Sequence, residues 1–202
     1  MIKIDHKKEL KHLYSGKISK PIIVKVPPMN YLMIDGKGHP SEKEFQEACS
    51  TLYPVAYTIK FMLRPEINID YKVMPLEVMW TVNRTDKTFT WTMLQMQPEY
   101  VTRSIYQKGI EKLLLKQRPP LLEKLRFEKL NEGLCGQILH KGPYEKMNDT
   151  FKILTDFLEA EKYSYKKDSH DIYFNSPLKT KPENLKTMIR TQIIKPLTKR
   201  YT

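Results

Sequence analysis

Long apolar runs are missing from this chain: no uncharged stretch nears the roughly 18 residues a bilayer-spanning helix needs, so none is expected to cross a membrane. The first residues, MIKIDHKKELKH, carry charges where a secretory leader has an apolar centre. No signal peptide is expected, and the cytoplasm is the expected location. Cysteine is scarce. Cys49 and Cys135 fit no metal-ligand spacing, and the 5 histidines are scattered. No structural metal and no other cofactor is expected, and two thiols suit a reducing compartment. No Ser–His–Asp or Cys–His arrangement stands out. The loop 36-GKG-38 lacks the ending and strand–helix context of a phosphate cradle, and reads as a turn that needs glycine. His140, in 140-HKGPY-144, reads as a cap at a strand-to-helix junction. Arginine is sparse too. The net charge is +12, yet 28 of the 35 basic residues are lysine, spread along the chain. Base and phosphate recognition leans on arginine and on clusters. The excess therefore reads as a solubilising surface, and nucleic acid is not the expected partner. Only about 20 residues precede the first expected strand, too few for a helix-turn-helix module.

What is present is patterned. A chain of 202 residues buries roughly 70% of its unfolded surface on folding and needs no staple. The first 20 residues form a basic arm or short helix. Strands are expected at 22–26 and 31–36, around Pro27-Pro28. Residues 41–63 have helical spacing, with Phe45, Ala48, Leu52, Val55, Ile59 and Met62 recurring at threes and fours. Ser41 and Glu44 suggest a capping box, and Pro54 should kink or interrupt the helix. Strands near 72–82 and 88–96 and a helix from about Pro98 to Leu115 follow. Past Pro119-Pro120 the pattern restarts, with strands near 124–130 and 134–140, a helix at 144–162, and strands at 170–175 and 186–194. This is an internal repeat. 77-EVMW-80 aligns with 171-DIYF-174, and 91-WTMLQMQ-97 with 186-KTMIRTQ-192, at offsets of 94 and 95 residues. The expected fold is α+β: two tandem strand–helix–strand–strand modules (about 20–116 and 121–196) in one domain spanning 1–202. They share a pseudo-two-fold antiparallel sheet with helices on one face and a concave ligand pocket on the other.

Alternation assigns the faces. Met74, Leu76, Val78, Trp80 and Val82 share the helix side; Glu77, Met79 and Thr81 share the other. The alignment puts Ile172, Phe174, Leu94 and Ile189 with the core. Asp171, Tyr173, Trp91, Met93, Gln95, Lys186, Met188 and Arg190 then join Glu77. A helix-free face carrying Glu77, Met79, Trp91, Met93, Asp171 and Tyr173 has the character of a small-molecule pocket, apolar with a few polar groups. Methionine adapts to irregular shapes, and aromatic faces attract cations. The alternative is that each acid pairs with a lysine or Arg190 and only holds the sheet.

Seven ordered stretches carry a resemblance: 8-KELKHLYSG-16, 30-NYLMIDGKG-38, 57-YTIKFM-62, 71-YKVMPLEVMW-80, 91-WTMLQMQPEYVT-102, 133-GLCGQILHKGPY-144 and 182-PENLKTMIR-190. In these the chain resembles the stand-alone bacterial GyrI-like (gyrase-inhibitor-like) small-molecule-binding proteins. The resemblance implies hydrophobic, often cationic aromatic ligands held between aromatics over an acid, as in multidrug-responsive regulators. It implies, as an alternative, hydrolysis of cyclopropane-containing DNA-alkylating natural products, with Glu77 and Asp171 as the acids, and, third, a gyrase-inhibitor role with DNA gyrase as partner. Two positions depart from the family pattern: Thr81 stands where a second tryptophan is usual in PLEGLWW, and Asp171 where H-E-[IV]-Y-L has glutamate. The shorter aspartate sets the carboxylate back by about 1.5 Å, and misplacement of about 1 Å can cost about 100-fold in rate.

Overall fold

In a computed structural model the chain is described over residues 1–82 and 89–196. Its strands are β1 (Ile2–Ile4), β2 (Ile22–Val26), β3 (Met29–Lys37), β4 (Ile69–Tyr71), β5 (Leu76–Val82), β6 (Phe89–Gln97), β7 (Arg126–Leu130), β8 (Gly133–Lys141), β9 (Tyr163–Tyr165), β10 (Ser169–Tyr173) and β11 (Lys186–Pro196). Its α-helices are α1 (His6–Glu9), α2 (Lys11–Tyr14), α3 (Lys43–Ile67), α4 (Arg103–Leu114) and α5 (Met147–Ala160). Thr88, where the strand of β6 was expected to start, lies outside the described residues.

The large sheet is antiparallel and runs β2-β8-β11-β10-β5-β6-β3-β7, with β9 on β11. Reading outward from the central β5–β10 pair, β5-β6-β3 mirrors β10-β11-β8. Each trio with its helix is one strand–helix–strand–strand module, so the fold is the α+β arrangement expected. The end strands are exchanged: β2 precedes the first module but pairs with β8 of the second, and β7 precedes the second but pairs with β3. Only Pro27 and Pro28 separate β2 from β3. Three Cα steps reach at most about 11 Å, so the open sheet curls until its two ends approach each other.

The convex face packs on the helices. Leu32, Val78 and Met93 meet Ala48, Leu52 and Ile59 of α3, and Ile138 and Ile189 meet Leu154 and Leu158 of α5. The period of α3 is the one expected, but the helix runs through Pro54 unbroken. The carbonyl that Pro54 cannot satisfy belongs to Ser50, an exposed residue on the outer side of the helix. The capping box does not form. Glu42 is the N-cap, Glu42 Oε1 accepts from the His39 amide at 2.7 Å, and Glu44 accepts from Lys37. The fourth helix starts after Thr102, whose hydroxyl accepts from the Ile105 amide, rather than at Pro98. The GKG loop divides. Gly38 has φ +92°, whereas Gly36 lies under the Trp91 ring, where a Cβ would meet indole carbons at 2.2–2.3 Å.

The concave face is filled by the arm. β1 pairs in parallel with β4, and α1 and α2 deliver Leu13 and Tyr14 to a cluster with Tyr31, Leu94, Ile172 and Met188. Among the described residues no helix is long and apolar enough to cross a membrane.

Candidate functional site

Two polar centres lie back to back across the central strands. The first is on the concave face. Glu77 is buried there; Tyr14 donates its hydroxyl to Glu77 Oε1 at 2.9 Å, and His170 Nε2 lies 3.0 Å from Oε2. His170 Nδ1 is 2.9 Å from Glu132 Oε1, and Arg190 Nη1 donates to Glu132 Oε2 at 3.0 Å. Arg190 is 0% exposed; it also donates to Gln137 Oε1 at 3.2 Å and to the Leu13 carbonyl at 3.0 Å. Two carboxylates, an imidazolium and a guanidinium cancel, the condition under which buried charge is tolerated. Burial opposes the imidazolium, but Glu132 and Glu77 raise His170 to about 9. Burial likewise opposes the Glu132 carboxylate, but His170 and Arg190 hold it at about 2.

These shifts set a pH window. The His170 contribution is complete below its unfolded value of 6.5 and is lost as pH rises through about 9. That of Glu132 is complete above its unfolded value of 4.5 and is lost as pH falls toward about 2. Urea unfolding across pH is expected to lose on the order of 3 kcal/mol on each limb. A flat profile from acid to alkali would contradict the pairing.

The second centre is on the convex face. α3 packs over β3 and β6, and α5 over β8 and β9, so the β5–β10 pair lies between the two helices. Asp171 stands opposite Val78, with the Trp80 row on one side and the Tyr173 row on the other. The Trp80 indole N–H donates to the Tyr173 hydroxyl at 3.2 Å, joining the modules. Tyr144, before α5, meets Tyr173 edge-on at 5.7 Å; Phe45 of α3 stacks on Trp80 at 5.7 Å. The rings form one row from α5 to α3. Trp80, Tyr173 and Tyr144 are half-buried, whereas Asp171 is 5% exposed.

Asp171 Oδ1 is buried without a hydrogen-bond partner. Burial raises its carboxyl to about 7, against the pull of the His170 charge and hydrogen bonds with Ser169 and Tyr173. Burial, and then the Asp171 carboxylate, push the Tyr173 hydroxyl well up, so it keeps its proton. An indole N–H can only donate. Tyr173 therefore offers Trp80 a lone pair and turns its proton toward Asp171. A row of half-buried rings offers a surface to a flat apolar molecule, and the Asp171 oxygen beneath it can accept from a cation or take a proton from water. Among the described residues no group of His, Cys, Asp and Glu stands together to hold a metal ion.

The six expected site residues therefore do not share a face. Cross-strand partners point the same way. Glu77 pairs with Ile172 and Leu94, and Met79 with His170, all on the concave face. Asp171 pairs with Val78, so Asp171 and Tyr173 look toward the helices, as do Trp91 and Met93. Strands β5 and β11 face as expected and β6 and β10 are reversed; Met74, just before β5, was expected on the helix side but packs in the concave cluster with Tyr14 and Leu94. Trp91 and Met93 are buried against α3, where Cys49 Sγ lies 3.7 Å from Met93 Sδ. Glu77 follows the alternative reading, tied off inside the protein, although by His170 and Tyr14 rather than a lysine. The helix-free hollow expected to hold a ligand holds Leu13 and Tyr14. Residues the sequence reading missed are Trp80, Tyr144 and Phe45 near Asp171, and Tyr14, Glu132 and His170 around Glu77 and Arg190. His140 does cap its turn, with Nδ1 2.8 Å from Thr150 Oγ1 and Nε2 3.1 Å from the Pro143 carbonyl.

A mostly apolar surface with a few converging polar groups, set between two helices, is the common form of a small-molecule site. Residues 19–194 match the GyrI-like small molecule binding domain, and the chain belongs to that family. It superposes on an uncharacterized conserved protein from Listeria innocua with TM-score 0.87 and 32% identity, over 94% of this chain and 99% of that one. A hydrolase from Listeria innocua gives TM-score 0.84 and 33% identity, over 94% and 99%. The EcmrR C-terminal domain shares the fold alone, at TM-score 0.53 and 10% identity over 87% and 98%. No curated protein matches the sequence.

Proposed function

We propose that residues 1–202 act as one unit that binds flat, hydrophobic, cationic aromatic molecules between α3 and α5, over Asp171. The observation that carries this reading is the unclaimed Asp171 oxygen beneath the row Tyr144–Tyr173–Trp80–Phe45. Aromatic faces favour cations, and the buried carboxyl near neutral pKa gains most from one. The two free thiols fit the reducing, cytoplasmic setting that the family resemblance implies. Titration with a rhodamine, followed by tryptophan quenching, tests the reading. Trp80→Ala should weaken binding by about tenfold or more, given roughly 1 kcal/mol or more per aromatic contact. Equal affinity in this variant and the parent would place the ligand elsewhere.

A second reading is hydrolysis. It is favoured by the pKa of about 7 at Asp171 and by the Listeria innocua relative described as a hydrolase. Asp171 would take a proton from water, and the resulting hydroxide would add to a strained cyclopropane carbon. The bond that opens would leave its electron pair on the ligand, to be protonated by solvent. Glu77 has no part in this step, because it faces the other side of the sheet. Product from a cyclopropane-bearing alkylator, at a rate rising with pH through about 7, is the expected sign.

A further inference from the structure

A groove on the concave side, separate from the cleft, has a character of its own. It lies between the arm and the ends of β8, β10 and β11 and has a volume of about 760 Å³, within the range of small-molecule sites. Leu139 and Phe174, both half-buried, give it an apolar floor. Lys7, Lys8 and Lys11 of the arm and Lys186 of β11 line it. Lys141 stands directly opposite Lys186 in the β8–β11 register. Directly opposed residues have Cβ atoms about 5 Å apart, and like charges there repel. Among the described residues none of these five lysines makes an ion pair with a carboxylate. Asp5, the acid at the rim, is already held by Lys72 at 3.0 Å.

A charged surface usually alternates its signs or leaves its lysines apart in water. Here four lysines line a groove with an apolar floor, and a fifth, Lys141, stands against one of them across neighbouring strands. Three come from an arm that precedes the matched family residues 19–194, so the groove exists only where arm and sheet meet.

We propose that this groove is a second ligand site, for a free amphiphilic anion: a single phosphate, sulfate or carboxylate on an apolar body. The anion would sit between Lys141, Lys186 and the arm lysines and relieve their repulsion, while the apolar body would cover Leu139 and Phe174. The concave shape suits a single molecule rather than a flat bilayer.

Calorimetric titration of the full chain with decyl phosphate, below its micelle concentration, tests this. One-to-one binding is expected, at least about tenfold weaker in Lys141→Ser/Lys186→Ser and again at about 500 mM salt, where exposed charges are screened within about 4 Å. Lys7→Ser/Lys11→Ser, on the arm, should weaken it in the same direction. Lys11, Lys141 and Lys186 are exposed and Lys7 is half-buried, and circular dichroism should show both variants folded. Inorganic phosphate should bind far more weakly, because it leaves the floor uncovered. Asp171→Asn should leave decyl phosphate binding intact, and the lysine variants should leave rhodamine binding intact, so this site and the cleft stand or fall separately. Unchanged affinity in both lysine variants would overturn the proposal. So would equal binding of inorganic phosphate, or attachment to phosphatidylglycerol vesicles without binding of monomeric decyl phosphate.

Discussion

Asp171→Asn is expected to silence the cleft and strengthen the fold together. The free oxygen of Asp171 is the one the cleft offers to a cation or a water. Removing its charge should weaken rhodamine binding about tenfold at pH 8, and should cost about 100-fold or more in any turnover that uses it as a base. The stability effect has the opposite sign. The folded carboxyl titrates at about 7 against 3.8 unfolded. Folding is therefore unpenalised below 3.8, and the stability is lost as pH rises through about 7. Fully ionised, the group costs the fold on the order of 4 kcal/mol. Asparagine carries no such cost. Urea unfolding should find the variant about equal to the parent near pH 4 and more stable by about 2–4 kcal/mol at pH 8.5. Such a trade of stability for function is common at sites that hold an uncompensated charge. If the variant is less stable at both pH values, Asp171 is a structural acid and the cleft loses its chemistry.

The order of elements was legible because it rests on signals that survive in any context: the helical period from Phe45 to Ile59, the restart after Pro119-Pro120, and the β-rich runs between them. The faces were not, for a reason of parity. Side chains alternate with a period of two, so sliding an alignment by one residue exchanges the two sides of a sheet. Setting 77-EVMW-80 over 171-DIYF-174 did so. A two-fold that preserves faces must carry Glu77 to His170 or Ile172, never to Asp171, because those are the residues that share its side. β6 gave no warning, since Trp91 and Met93 on one side and Leu94 and Met96 on the other are all apolar. β10 misled, because its acid points toward the helices, where an apolar residue is the default. That violation of patterning is itself what marks the cleft.

The concave interior was harder still, because its partners come from distant parts of the chain. Glu132 lies in the turn between β7 and β8, Arg190 in β11, and Leu13 and Tyr14 in the arm. Two signals were available. Arg190 is an arginine in the middle of a strand, next to Ile189, in a chain that uses lysine four times as often, and Leu13-Tyr14 is an apolar pair in a basic arm. Together they indicate a buried guanidinium and a segment that packs inward.

Arg190→Met is expected to be the most damaging single replacement in the molecule. Methionine fills much of the volume but leaves three groups behind: the Glu132 carboxylate with His170 as its remaining charged partner, Gln137 Oε1, and the Leu13 carbonyl. Removing one partner of a buried pair typically costs 3–5 kcal/mol. Total stability is typically about 5–15 kcal/mol, and a chain of this size loses about 2–4 °C per kcal/mol. The melting temperature should fall by roughly 10 °C or more. Arg190→Met/Glu132→Gln should recover part of the loss, because it removes the stranded charge along with its partner. Leu13 ties the arm to Arg190, so trypsin should also cleave the single variant faster in the lysine-rich segment between Lys7 and Lys20. A loss below about 1 kcal/mol, the level of a solvent-exposed pair, would mean that water reaches these charged groups. The interior beneath the arm would then be an open hollow rather than a packed one.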